Sequence, residues 1–179
     1  MRCIPRLRDR DCIFFSYGVR EVFELLSDMA KKKNKMRGSK SADTLTGTSG
    51  KDVVIAKGGD DTITTYEGKD KIKAGGGNDT IASGTGLDKV WGGEGQDLFV
   101  TENGSPNNVK KGHMKIMDFE VGDKIKFCGC ASAKLEQRGK NVWLIKGDDV
   151  KAVIKGVDAE DLEINYSDKL VMFASDPLA

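Results

Sequence analysis

Residues 74–100 read AGGGNDTIASGTGLDKVWGGEGQDLFV, and within them an aspartate returns at every ninth position. Asp79, Asp88 and Asp97 each follow a glycine two places earlier (Gly77, Gly86, Gly95) and precede an apolar residue two places later (Ile81, Val90, Phe99). Outward from this stretch the frame holds from Gly38 to Val100, as GSKSADTLT, GTSGKDVVI, AKGGDDTIT, TYEGKDKIK, AGGGNDTIA, SGTGLDKVW and GGEGQDLFV. The sixth position is aspartate in all seven frames: Asp43, Asp52, Asp61, Asp70, Asp79, Asp88 and Asp97. The fourth is glycine in six, Ser41 being the exception, and the eighth is always apolar (Leu45, Val54, Ile63, Ile72, Ile81, Val90, Phe99). A glycine-rich linker has no reason to keep an acid and an apolar residue in phase, so the period marks a repeat architecture.

Each half of the frame has a physical sense. Glycine adopts positive φ without steric cost, so the first half reads as a tight turn. The last three residues read as a very short strand whose middle side chain faces the interior while its neighbours face out.

The frame resembles the RTX nonapeptide G-G-x-G-x-D-x-U-x of the hemolysin-type calcium-binding family. That resemblance implies an all-β fold, a right-handed parallel β-roll, in which two frames complete one coil and successive frames alternate between two sheets. One sheet then receives Leu45, Ile63, Ile81 and Phe99, and the other Val54, Ile72 and Val90. Loops eighteen residues apart would face each other across calcium, a hard cation that takes oxygen ligands. One stack then holds Asp43, Asp61, Asp79 and Asp97, the other Asp52, Asp70 and Asp88, with room for up to about five Ca²⁺ ions. By the same resemblance, carbonyls come from the second and fourth positions of one loop and the first and third of the next. For the best pair of sites these are Lys57, Gly59, Ala74 and Gly76, then Gly75, Gly77, Gly92 and Glu94.

The stacks are expected to differ in strength. In the first, Ala42, Asp60, Asn78 or Gln96 precedes the aspartate; in the second it is Lys51, Lys69 or Leu87. A lysine beside a ligand lowers the local negative potential. Tyr66 and Glu67 also stand where turn glycines are expected, which predicts strain and a weaker second stack.

Around the roll (38–100) the sequence predicts a basic N-terminal extension (1–37) and a β-rich C-terminal cap (101–179). Val19, Val22, Phe23, Leu26 and Ala30 fall on one helical face, giving a short N-terminal helix. The run Lys31–Lys35 reads as a solvated linker, and Met29 as a sensible start for a compact protein. After the repeat, HMKIMDFEVGDKIKF is similar to the strand–turn–strand that follows RTX arrays, and NVWLIKGDDVKAVIKGVDAEDL to the hairpin and short helix of serralysin-type domains. Alternation in Val142, Leu144, Val150, Ala152 and Ile154 supports two strands, with Gly147-Asp148-Asp149 as their turn. Asp158 to Leu162 reads as one helical turn. A solenoid needs its open end covered, and this block is the natural cover.

Composition narrows the function. The 179 residues include 22 glycines and carry a net charge of +1, divided into +6 over residues 1–40 and −5 over the rest. No apolar run approaches the ~18 residues of a membrane span. The short segment Cys12–Val19 is not followed by an A-x-A-like site, so no secretory signal peptide is expected. Cys3, Cys12, Cys128 and Cys130 are too few and too scattered for a disulfide framework or a paired zinc site. The single histidine, His113, rules out H-E-x-x-H chemistry, and neither a G-x-S-x-G elbow nor a Walker A loop is present. His113 reads as a surface loop residue with no triad around it.

The sequence therefore predicts a non-enzymatic calcium binder with no nucleic-acid partner. Family resemblance implies an extracellular protein, exported without an N-terminal signal by a type I secretion apparatus. Two other readings remain open. The outward pairs Thr44/Thr46, Thr62/Thr64 and Thr80/Ala82 resemble the Thr-x-Thr face of ice-binding solenoids, and the roll could serve as the calcium-binding module of a secreted hydrolase.

Overall fold

The computed structural model describes residues 33–101, 112–127 and 133–174. The candidate N-terminal helix and all four cysteines lie outside them. Three-residue strands follow each loop as the frame predicts. Thr44–Thr46, Thr62–Thr64, Thr80–Ala82 and Leu98–Val100 pair in parallel, placing Leu45, Ile63, Ile81 and Phe99 in one row. In the facing sheet, Asp52–Ile55, Lys71–Gly76 and Thr85–Glu94 align Val54, Ile72 and Val90. Val54, Ile63, Ile72, Ile81, Val90 and Phe99 are fully buried between the sheets. Burying each such side chain contributes about 1.5–3 kcal/mol relative to exposure. The chain is a parallel β-roll.

The roll is longer at both ends than the seven frames. Upstream, Asn34–Arg37 adds a parallel rung to the second sheet, with Met36 opposite Val54. The roll thus begins four residues before the sequence boundary at Gly38. This rung lacks the repeat's glycine and aspartate, with Asn34 opposite Asp52. Downstream, His113–Ile116 pairs in parallel with Thr85–Glu94, and Lys124–Lys126 with Leu98–Val100. Ile116 and Ile125, both fully buried, continue the two apolar rows. His113 therefore belongs to a strand and not to a loop; its ring lies 6.0 Å from that of Trp143.

Beyond these rungs the pairing turns antiparallel and the roll ends. Asp149–Lys155 joins His113–Ile116 in parallel, then carries Asn141–Lys146 and Ala133–Arg138 as an antiparallel meander. Leu170–Phe173 runs antiparallel to Lys124–Lys126 and pairs with Leu162–Asn165. The helical turn is a short 3₁₀ segment, Ala159–Asp161. Phe119 fills the C-terminal mouth, stacked on Phe173 at 5.6 Å and tilted against Phe99 at 6.0 Å. Among the described residues no helix is long and apolar enough to cross a membrane.

The upstream rung decides what a truncation does. A chain starting at Met29 keeps Asn34–Arg37 and is expected to fold at the same calcium concentration as the full chain. A chain starting at Gly38 loses that rung, exposes the edge of Asp52–Ile55, and is expected to need more calcium or to aggregate. Parallel calcium titrations followed by circular dichroism check this, and a raised midpoint for the Met29 start would refute it.

Candidate metal centre

Every repeat aspartate after the first of its stack hydrogen-bonds back to the rung before it. In the first stack, the amides of Asp43, Asp61 and Asp79 donate to Oδ1 of Asp61, Asp79 and Asp97 at 2.8, 2.7 and 2.9 Å. In the second, the amides of Asp52 and Asp70 donate to Oδ1 of Asp70 and Asp88 at 2.8 and 2.9 Å. One carboxylate oxygen thus locks the coil register. The other has no such role: Oδ2 of Asp61, Asp70, Asp79, Asp88 and Asp97 is buried without a hydrogen-bond partner.

The stack ends are different. Oδ2 of Asp43 accepts the Ser39 amide at 2.6 Å, and Oδ2 of Asp52 accepts the Thr48 amide at 2.8 Å. At the C-terminal end a carboxylate that the repeat did not reveal, Asp123, takes the fifth place of the first stack. Its Oδ1 accepts the Asp97 amide at 2.9 Å and its Oδ2 the Glu120 amide at 2.9 Å. Asp123 was hidden because it follows Asp97 by 26 residues instead of 18. The local string Gly122-Asp123-Lys124-Ile125 was the available signal, since it repeats the D-x-U core of the frame. The second stack stops sooner, because Met114 stands opposite Asp88. Each stack is closed by satisfied carboxylates or by an apolar residue, and the five orphaned oxygens lie between.

Main-chain carbonyls of the same loops lie between successive rungs. A side chain at Gly75 would collide with the Lys57 carbonyl, and one at Gly93 with the Gly75 carbonyl, so carbonyls at second positions aim at the next loop. The Gly59 and Gly77 carbonyls face the fourth-position glycines Gly77 and Gly95 in the same way. From the other side, the Ala74 carbonyl accepts the Lys57 amide at 2.7 Å, and the Glu94 carbonyl accepts the Gly77 amide at 2.9 Å. The Gly76 carbonyl lies 3.5 Å from where a Gly58 side chain would begin. Gly92 is packed against Oδ2 of Asp97. Among the described residues, no three His, Cys, Asp or Glu side chains gather closely enough to hold an ion alone. An ion in a gap would rest on carboxylates and carbonyls together, the all-oxygen donor set that suits Ca²⁺.

Two expectations about strain are corrected. Glu67 does not replace a required glycine: its third-position equivalent Gly76 has open space where a side chain would sit, and Glu67 pairs in a short extended segment with Thr85. Tyr66 does hold a left-handed conformation at φ 63°, but so does Lys57 of the first stack at φ 92°. Strain therefore does not separate the stacks. What separates them is the fifth position. There the Asn78 amide donates to Asp60 Oδ1 at 2.7 Å and the Gln96 amide to Asn78 Oδ1 at 2.8 Å, a second ladder beside the first. Lys51, Lys69 and Leu87 supply no carboxylate or amide oxygen at the corresponding places.

The electrostatics follow from this packing. Burial pushes the carboxyls of Asp70, Asp79, Asp97 and Asp123 up to about 6, and that of Asp88 to about 7. The backbone hydrogen bonds oppose this, and neighbouring carboxylates add to it: Asp61 and Asp97 for Asp79, and Asp123, Asp118 and Glu120 for Asp97. At an exposed end the balance reverses, and the amide of Ser39 lowers the Asp43 carboxyl. Without a cation the roll thus holds stacked, buried acids that resist ionisation.

Residues 33–63, 46–81 and 74–105 match the family model of the RTX calcium-binding nonapeptide repeat, which spans four copies. The block is an RTX repeat array. The solution structure of the AlgE6R3 subunit from the Azotobacter vinelandii mannuronan C5-epimerase is similar at 22% identity, covering 79% of this chain and 84% of that one, with a TM-score of 0.32. No curated protein matches the chain. RTX repeats bind calcium, and the β-roll places their aspartates in two stacks.

The Thr-x-Thr rows are in register from Thr44/Thr46 to Thr62/Thr64 and Thr80/Ala82. The same face then continues as Leu98/Val100 and Lys124/Lys126. It is a threonine ladder over three rungs only.

Proposed function

We propose that the chain is a non-enzymatic calcium-binding module in which one Ca²⁺ occupies each of five gaps between successive loops. The observation that carries this reading is the set of five buried, unpartnered carboxylate oxygens, on Asp61, Asp70, Asp79, Asp88 and Asp97. There is one for each gap between successive repeat aspartates, while the further step from Asp97 to Asp123 ends on an oxygen that the Glu120 amide already satisfies. An unsatisfied buried acceptor costs about 1–3 kcal/mol, so five of them in a small domain call for a ligand. In the gap between Asp61 and Asp79, donors would be the two carboxylates with the carbonyls of Lys57, Gly59, Ala74 and Gly76. In the next gap they would be Asp79 and Asp97 with Gly75, Gly77, Gly92 and Glu94. Asp43 and Asp52 each serve a single gap at the head of their stack, and Asp70 and Asp88 complete the second.

The ions would do structural work. They neutralise carboxylates that the coil spacing of ~4.8 Å forces together, and binding free energy becomes folding free energy. Such coupling suits export: a chain kept unfolded at low intracellular calcium could pass a type I secretion apparatus and fold outside. Detection of the protein in the medium of its native host would test that part.

Calorimetric titration in metal-free buffer tests the binding itself. Calcium is expected to bind at a count near the number of gaps, with magnesium at equal concentration giving no comparable uptake, because Mg²⁺ demands a smaller octahedral cage. Equal binding of both ions, or of neither, would overturn the reading.

A further inference from the structure

The outer face of the second sheet carries a charge pattern that calcium binding does not use. Its outward positions, rung by rung, are Lys35 and Arg37, Val53 and Ile55, Lys71 and Lys73, Lys89 and Trp91, then Lys115. Lys71, Lys89 and Lys115 stand directly opposite one another on consecutive strands. Like charges in that register repel, at ~4.8 Å per rung, and destabilise a sheet. None of these six cations makes an ion pair among the described residues. The only relief comes from a ring, with the Lys71 and Lys73 ammonium groups 5.3 and 5.5 Å from the centre of Trp91. Past Lys115 the exposed face ends: Val153 in the next strand is buried, and the Arg138 guanidinium covers the Trp143 ring at 4.4 Å. A local rule broken over three consecutive rungs, with only the Trp91 contacts to offset it among the described residues, points to a compensating partner.

We propose that this face binds an acidic polysaccharide, laid across the strands as a linear polymer. The lysine row matches a regular series of carboxylate or sulfate groups, and Trp91, half-buried beside Lys71 and Lys73, adds an apolar edge for a sugar ring. A lone ring on this face argues against a single-stranded nucleic acid, whose successive bases stack on neighbouring aromatic platforms. The bias to lysine over arginine points the same way, since arginine is the residue that grips phosphate in a bidentate fork.

The test uses the full chain with saturating calcium, with polygalacturonate, heparin, neutral dextran and single-stranded DNA as probes in a binding titration. Expected is binding to polygalacturonate or heparin, with the preferred one reporting carboxylate or sulfate, and none to dextran. Affinity should fall steeply with salt, as polyanion binding to clustered lysines does. The triple variant Lys71→Gln, Lys89→Gln, Lys115→Gln should lose about tenfold or more, and Trp91→Ala about threefold or more, with unchanged circular dichroism. The glutamines remove repulsion, so these variants keep the sheet. Binding that survives the triple substitution would come from calcium bridges at the loops and would overturn the proposal. So would tighter binding to DNA than to either polysaccharide, or no binding to either.

Discussion

Excess EGTA at pH 7.5 is expected to abolish most of the β signal of the repeat block and its resistance to protease, and calcium at ~0.1–1 mM to restore both. The size of the effect follows from what the metal-free roll must tolerate. Its strands are three to four residues long through much of the array, so each rung buries little more than one apolar side chain. Against that gain stand the ordering entropy of the loops and five buried carboxylate oxygens without partners. At about 1–3 kcal/mol for each unsatisfied acceptor, the sum rivals the ~5–15 kcal/mol that stabilises a typical domain. An unchanged spectrum and unchanged protease resistance in EGTA would sink the idea.

The metal-free chain should also respond to acid, and the sign is fixed by burial. The carboxyls of Asp70, Asp79, Asp88 and Asp97 are raised in the fold to about 6 or 7, from an unfolded value of 3.8. Between these limits the folded state holds more protons than the unfolded one, so metal-free stability rises as pH falls and is lost as pH climbs through about 6 to 7. In buffer stripped of calcium by a chelating resin, moving from pH 7.5 to pH 5 is therefore expected to recover part of the β signal. With calcium present the trend reverses, because the ion needs deprotonated ligands. Circular dichroism across both series checks the crossing.

What could be read from the sequence was what the period carried. A nine-residue repeat fixes the inward row, the loop side and the two stacks, because every rung is built alike; Ile63, Ile72, Ile81 and their aspartates needed no tertiary information. What escaped was wherever the chain keeps the geometry but drops the period. Asp123 lies beyond a longer connection, and its place becomes visible only when the Asp97 amide is seen to donate to it. Met36 supplies an apolar row member in a rung without glycine or aspartate, since an edge rung has no loop above it to accommodate. The unpartnered oxygens were equally out of reach. Spacing predicts which aspartates face one another, but not that one oxygen of each would be spent on an amide and the other left bare.

Replacing Asp79 by alanine is expected to raise the calcium midpoint for folding by about tenfold or more, and Asp70→Ala by a smaller factor, about threefold. The pair is matched in its backbone contacts, although Asp70 alone also has the Thr65 hydroxyl beside its carboxyl. Each aspartate is interior to its stack, each accepts one backbone amide (from Asp61 at 2.7 Å and from Asp52 at 2.8 Å), and each leaves Oδ2 unpartnered. Each frame also contributes one fully buried isoleucine, Ile81 or Ile72. The loss of the amide acceptor therefore cancels in the comparison, and the difference reports on the gaps. Asp79 has the Asp60–Asn78–Gln96 ladder beside it, which ties its own loop to the loops before and after it. Asp70 has Lys69 next to it in sequence, and Lys51 precedes Asp52, its neighbour in the stack; their positive charge already offsets part of what calcium would neutralise. On the proposed sites, removing Asp79 would take a ligand from two gaps flanked by that ladder, and removing Asp70 from two gaps without one. The asparagine variants sharpen the test, since Asp79→Asn and Asp70→Asn keep an oxygen for the amide and delete only the charge. If the ranking persists with asparagine, it belongs to the metal sites. Equal midpoints for the two alanine variants would show the stacks to be equivalent, and a larger shift for Asp70→Ala would place the stronger sites in the second stack.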